Sequence, residues 1–383
     1  MQNELVSPYK AACAQLILES CNPDVHGKFP PGLKERNLQR VCDYIDLACT
    51  RAFPSSFHPP STRLVVFPEF SLGGYWSTKT TTKEVQQYLA ISIPGPETNR
   101  LARKAKEHNC YIAAQNYEND PNFPDWCFNT GFIINPEGKI ILKYRKINTS
   151  SQPFEFGCCP HDVMDIYKNP ITGTFEPFPV VDTEIGRLGI MACGDVELPE
   201  IPRVYAMKGC EVLIYITAGA SRATQWAMRC QAIWNTMYVV FENYASVAIS
   251  VKQVGDGCII EATEPACGGF AGIFDYRFWL DPLGNVVAEA EDKTPQVVVG
   301  TIDIMALRRS RETYLGNKLS TLRSELYASY YTKTIFPPNR FLEVGPINSF
   351  FDERQLEMQR IALENVRRLQ QNPDNWYSEK DVK

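Results

Sequence analysis

The sequence predicts an α/β layered domain whose sheets are mixed, and two observations predict it. From residue 9 to about residue 330, short apolar runs alternate with segments of helical periodicity, the pattern of strand and helix layers around one core. Two of the runs fold back through tight Gly-containing turns, NPEGK and DPLGN, and hairpins exclude a purely parallel sheet.

The elements follow in order. YKAACAQLIL (9–18) reads as a strand. Leu38, Val41, Cys42, Ile45, Ala48 and Cys49 recur at i, i+3, i+4 and i+7 and mark a helix. LVVF (64–67) is a short buried strand ending at Pro68-Glu69, and a helix over ETNRLARKAKEHN starts just after Pro96. CYIAAQNY (110–117) is a strand, and 131–146 is a hairpin turning at Pro-Glu-Gly-Lys. Residues 150–182 lack periodicity. They are rich in Pro, Gly and aromatics, which predicts an ordered cover loop. Then come a strand at 187–192, a helix from Pro199 to Lys208, the strand EVLIYI, a helix at 222–236 and the strand YVVFENYASVAIS. FDYRFWLDPLGNVVAEA forms the second hairpin, turning at 281–284. QVVVGTIDI is the last strand, ahead of a helix containing Leu322 to Tyr327. Residues 1–334 thus form the main domain. Residues 335–383 read as an extension in which FPPNRF is extended and 353–371 is a helix with one narrow apolar stripe. Such a stripe packs on its own subunit or on a neighbour.

Composition excludes several classes. The chain has 383 residues, 44% hydrophobic and 22% charged, which suits one large globular domain or two smaller ones. Its net charge of −5, with no basic stripe, argues against nucleic acid as a partner. No apolar run approaches the ~20 residues that span a bilayer, and MQNELVSPYK lacks the form of a secretory signal. No membrane role is expected, and thirteen cysteines without a signal predict free thiols in the reducing cytoplasm. With no C-x-x-C pair and only four histidines, zinc is a poor reading and no metal site is expected. The sequon at Asn148 reads as chance.

Three strand ends carry chemistry. Cys193 follows the apolar strand LGIMA and precedes a helix, in GIMACGDVELPE. In layered α/β proteins ligands bind at such carboxyl ends of strands. Gly194 lets the backbone come close to a bound group. A thiol so placed is a candidate nucleophile, but it needs a base or a cation nearby, because little of an ordinary thiol is ionised at neutral pH. Glu69, past VVFP, and Lys146, ending LKYRK, offer those groups at two other strand ends.

The order of these motifs, a buried strand ending in Pro-Glu, then YRK, then GIMAC followed by Asp and Pro-Glu, resembles the nitrilase (carbon–nitrogen hydrolase) superfamily, and its amidase-like branch. RCQAIWNTMYVVFENYA and VVGTIDI with LRSELY are similar to later segments of that family, so the likeness covers about residues 9 to 330. The resemblance implies a four-layer α-β-β-α sandwich, paired into a homodimer or larger homo-oligomer. It implies that Glu69 is the general base and Cys193 the nucleophile. Lys146, with a backbone N–H next to Cys193, would hold the oxyanion, and no cofactor is needed. A thioester forms, and water then releases an acid. A second active-site glutamate is common in the family, and Glu155 is the nearest candidate. Tyr75 and Thr217, by position, join Gly194 as pocket walls. Gly194-Asp195 in place of Trp-Glu favours amide or carbamoyl substrates over nitriles. Acyl transfer to another acceptor and an inactive scaffold or filament former are the rival readings.

Overall fold

The computed structural model describes residues 5–19, 29–50, 61–74, 80–149, 157–245, 250–254, 257–261, 268–277, 285–313, 315–332, 334–348 and 352–371. Two six-stranded mixed sheets lie face to face. The first contains β1 (Tyr9–Gln15), β2 (Thr62–Val66), β3 (Tyr111–Asn119), β4 (Cys127–Ile134) and β5 (Ile140–Arg145), closed on the β1 side by the late strand β14 (Gln296–Ile302). Its β1–β2–β3 core is parallel and the outer pairs are antiparallel. The second contains β6 (Val180–Thr183), β7 (Gly186–Ala192), β8 (Val212–Ile216), β9 (Tyr238–Glu242), β12 (Gly272–Phe274) and β13 (Val286–Glu289), again around a parallel core, β7–β8–β9. A separate ribbon pairs β10 (Ser250–Val254) with β11 (Gly257–Glu261).

The period-2 alternation of the strands builds the layers. In β1, Ala11 and Cys13 face the second sheet while Ala12 and Ala14 lie under the helices α1 (Leu33–Thr50) and α2 (Pro96–His108). On the far side α3 (Glu200–Met207) and α4 (Arg222–Asn235) cover the second sheet through Ile201, Tyr205, Met228 and Ala232. The order is therefore α-β-β-α. The sheets approach closely at Gly131, where a Cβ would sit 2.8 Å from Ile190 Cγ2. Only glycine fits there without displacing the packed strand opposite.

Several boundaries differ from the sequence expectation. β1 stops at Gln15, and Ile17 is exposed. The run from Tyr238 breaks after Glu242, because the Asn243 amide donates to the carbonyls of Ala220 and Gly269 and turns the chain. The helix that follows β14 is α5 (Ile304–Arg311), capped by the Asp303 carboxylate. Its polar sequence hid it. The helix expected around Leu322–Tyr327 is only Ser324–Ala328, and it is exposed. The 281–284 turn lies outside the described residues.

The insert expected over 150–182 ends earlier, because Val180–Asp182 pair with β7 as part of β6; its residues 157–179 bury Cys158, Val163 and Tyr167 on the first sheet's side of the core, and Cys159 is buried as well. The extension lies over that insert, with Asn339 and Phe341 N–H groups donating to the carbonyls of His161 and Asp162. FPPNRF runs into a short helix, Arg340–Val344, rather than staying extended. Met358, on α6 (Glu353–Gln371), is fully buried in the same apolar cluster as α1 and α2.

One buried acid gives the fold a pH signature. The Glu242 carboxyl is sealed between the sheets beside the Cys13 thiol, and burial pushes its pKa well above the ordinary range. The native chain therefore keeps a proton that the unfolded chain releases from about pH 4 upward, and stability falls as pH rises. Glu242→Gln is expected to match wild type near pH 4 and to grow more stable than it toward about pH 8. Urea midpoints across that range test this, and a pH-independent difference would refute it.

Candidate active site

Sheet geometry delivers the candidate residues to one end of the sandwich. Glu69 lies three residues past β2, Lys146 directly follows β5, Cys193 directly follows β7, and Thr217 directly follows β8. The first two belong to one sheet and the last two to the other. The Glu69 N–H donates to the Thr217 carbonyl at 3.3 Å, which ties the two sheets together beside the acid.

Glu69 and Lys146 are each about 1% exposed, and Lys146 Nζ lies 3.3 Å from Glu69 Oε1. Asn129 Nδ2 donates to the same carboxylate oxygen at 2.8 Å, and the Lys146 N–H donates to the Asn129 carbonyl at 2.9 Å. The Tyr244 hydroxyl donates to the Glu69 carbonyl at 2.6 Å. A carboxylate and an ammonium removed from water in this way are held by each other and by fixed dipoles, so neither needs to reorganise during a reaction.

Cys193 is half-buried and has φ +42°, a left-handed conformation that costs a non-glycine residue about 1–2 kcal/mol. It opens a short 3₁₀ turn, Cys193–Glu197. Asp195 clamps that turn from within: its buried carboxylate accepts from Ala192 N–H (2.8 Å), Asn148 N–H (2.9 Å) and the Tyr144 hydroxyl (2.6 Å). Burial raises the Asp195 pKa, against the pull of Lys146 and of these donors. Asn148 also holds the Gly194 carbonyl through Nδ2 at 2.8 Å. Its side chain is thus spent inside the protein. The Tyr215 hydroxyl donates to the Cys193 carbonyl at 2.7 Å.

Behind β5 lies a second charged group. Arg145 immediately precedes Lys146 and points to the other side of the strand, stacked 3.7 Å above Phe128 and paired with Glu118 and Asp120. Lys143 pairs with Glu118 as well and donates to the Ile93 carbonyl at 2.7 Å. Thr130 adds a hydroxyl to Glu118 at 2.7 Å. All four charged residues are buried.

Tyr75 and Glu155 lie outside the described residues. Thr217 is fully buried at the Glu69 tie, and Gly194 is buried in the turn. Asn129, Tyr144, Asn148, Tyr215 and Tyr244 were missed by sequence reasoning. Asn129, a polar residue within the apolar run CFNTGFII, was the one readable signal. Among the described residues, one His/carboxylate group has metal-ligand spacing, Asp46 with Glu107 and His108. The Lys104 ammonium already bridges its two carboxylates.

An α-β-β-α sandwich carrying a strained-turn thiol together with a buried carboxylate–ammonium pair at its strand ends is the class that fold and site define. The chain belongs to the carbon-nitrogen hydrolase family, whose model matches residues 10–312. A formamidase of Bacillus cereus (strain AH820) is 34% identical over 202 residues, 52% of this chain and 55% of that protein. A formamidase of Bacillus anthracis matches to the same extent. The chain spans about half the length of the curated relatives it matches. Among solved structures, a carbon-nitrogen hydrolase from Helicobacter pylori G27 is similar with a TM-score of 0.60 at 19% identity, covering 85% of this chain and 99% of that one. Saccharomyces cerevisiae Nit3, of the nitrilase superfamily, follows at 0.57 and 22%, covering 82% and 97%. A mutant of the amidase from Nesterenkonia sp. AN1, whose active-site cysteine carries the acetamide moiety of fluoroacetamide, gives 0.53 and 16%, covering 86% and 100%. These likenesses show a shared fold. Among the described residues, no helix is long and apolar enough to cross a membrane.

Proposed function

We propose that this protein hydrolyses a non-peptide carbon–nitrogen bond, in an amide or a carbamoyl compound, through a thioester on Cys193. The observation that carries the reading is the buried Glu69–Lys146 pair at the same strand ends as a thiol held at φ +42°. Glu69 takes the Cys193 proton as sulfur adds to the carbonyl carbon. Lys146 and the Gly194 N–H hold the oxygen that becomes negative. The C–N bond then breaks, the leaving nitrogen takes the proton from Glu69, and ammonia or an amine departs. Water attacks the thioester, giving its proton to Glu69, and the acid leaves as Glu69 returns that proton to the Cys193 sulfur. Thr217, Gly194, Tyr75 and Glu155 are the proposed walls and substrate contacts. The formamidase and amidase relatives favour a small amide.

The same reading puts the enzyme in the cytoplasm as a homodimer or larger homo-oligomer, with neither nucleic acid nor membrane as partner. Ten cysteines, Cys13 and Cys193 among them, are free thiols, which suits a reducing compartment. Trp226, Trp234 and Met207 lie exposed on the helices over the second sheet, which suits a partner there.

The test is ammonia release from a panel of short and aromatic amides, N-carbamoyl compounds and nitriles, with mass spectrometry of the protein quenched during turnover. Release from one class, with the matching acyl mass on Cys193, is the expected result. Release without an acyl adduct on Cys193 would overturn the mechanism, and silence across the panel would overturn the substrate class.

A further inference from the structure

Two successive peptide units after the nucleophile are anchored on their carbonyl sides. The Cys193 carbonyl accepts from the Tyr215 hydroxyl at 2.7 Å, and the Gly194 carbonyl accepts from Asn148 Nδ2 at 2.8 Å. Tyr215 lies on β8, in register with Met191 of β7, and its ring stacks on Phe241 with centroids 5.3 Å apart. The phenol is buried, and burial pushes its pKa well above the ordinary range, with Cys193 and Glu69 adding to the rise and Lys146 opposing it. It is a fixed donor among the three candidate catalytic groups.

A trans peptide is planar, with its N–H on the edge opposite its C=O. Holding the Cys193 oxygen therefore fixes the direction of the Gly194 N–H on the other edge. That N–H is buried and has no acceptor among the described residues. Buried backbone donors without an acceptor are rare in proteins, because the lost hydrogen bond with water is costly. An orphan donor beside a nucleophile is therefore kept for a ligand oxygen.

We propose that Tyr215 is a positioning residue: by locking the Cys193 carbonyl it aims the Gly194 N–H at the oxygen of the bound acyl group. The proposal rests on the reading of Cys193 as the nucleophile. It adds that this half of the oxyanion site is set by a side chain on the neighbouring strand and does not follow from the turn alone. Without the hydroxyl, the Cys193–Gly194 peptide can rotate, and the left-handed Cys193 residue has reason to relax. The sulfur itself hangs from Cα and depends far less on that plane.

Tyr215→Phe keeps the ring stack and removes only the donor. Its test uses propionaldehyde and benzaldehyde, to whose carbonyl carbon the Cys193 sulfur adds reversibly, placing a hemithioacetal oxygen where the oxyanion would sit. Aldehyde affinity is read as protection of Cys193 from iodoacetamide, so the measurement needs no turnover and remains informative if the amide reading fails. In Tyr215→Phe the unprotected alkylation rate is expected to stay within about threefold of wild type, while aldehyde affinity falls about tenfold or more, since losing a whole oxyanion donor costs 10²–10³. On any amide the wild type hydrolyses, kcat/KM falls by the same factor as the aldehyde affinity. Unchanged aldehyde affinity overturns the proposal. So does an alkylation rate that falls in step with it, because the hydroxyl would then serve the thiol or the local fold. No protection of wild type by either aldehyde also overturns it, since no oxyanion site would then operate at Cys193.

Discussion

Replacing Cys193 with alanine is expected to lower amide turnover by about 10⁴-fold or more, and adding Glu69→Gln to that variant is expected to lower it no further. Glu69→Gln alone is expected to cost about 10²–10⁴-fold, the range for losing a positioned general base. The two losses do not multiply because both residues act on one proton: with no thiol to deprotonate, the carboxylate has no step to assist. Glu69→Gln is isosteric and Cys193→Ala removes only the sulfur, at a site held by Asn129, Tyr244 and Asp195, and melting temperatures check that the fold survives. Ammonia release under single-turnover conditions measures the rates. A wild-type rate in Cys193→Ala would sink the mechanism, and multiplying losses in the double variant would show that Glu69 acts on something other than Cys193.

The second large effect is on stability. Glu118→Gln leaves Lys143 and Arg145 facing Asp120 alone in a buried group, so one buried cation loses its counter-charge. Breaking a buried ion pair from one side costs about 3–5 kcal/mol, because the remaining charge has neither water nor partner. Lys143→Met in the Glu118→Gln background is expected to recover much of that loss, since it removes the stranded charge. Urea denaturation of the single and double variants measures both terms. A loss below about 1 kcal/mol, or no recovery, would refute this account of the network. Turnover should fall with Glu118→Gln too, because the network grips the last residue of β5 and Lys146 is the next one along.

Much of the fold was legible because it rests on local periodicity. The α1 stripe of Leu38, Val41, Cys42 and Ile45 is buried as spaced, and the NPEGK hairpin joins β4 to β5 antiparallel. What failed was termination. The run from Tyr238 looks continuous, and only the long-range bonds of Asn243 to Ala220 and Gly269 end it. For the candidate site, the sequence shows groups at strand ends, since an apolar run ending in Cys, Glu or Lys is visible from its neighbours. It could not show what holds them. Tyr144 reaches Asp195 and Asn148 reaches Gly194 only once two sheets from distant parts of the chain are stacked, and Tyr215 reaches Cys193 only once β8 pairs with β7.

The left-handed backbone at Cys193 has one more consequence. Position 193 is a place where glycine would avoid that cost of about 1–2 kcal/mol, since glycine has no Cβ to crowd the backbone at such a φ. The surrounding clamp from Asp195, Asn148 and Tyr215 supplies bonds that offset this preference. A screen for thermal tolerance alone would therefore tend to discard the thiol and keep an inert, sturdier chain. Engineering for robustness has to score activity at the same time, because at this one residue the backbone's ease and the chemistry's demand pull in opposite directions.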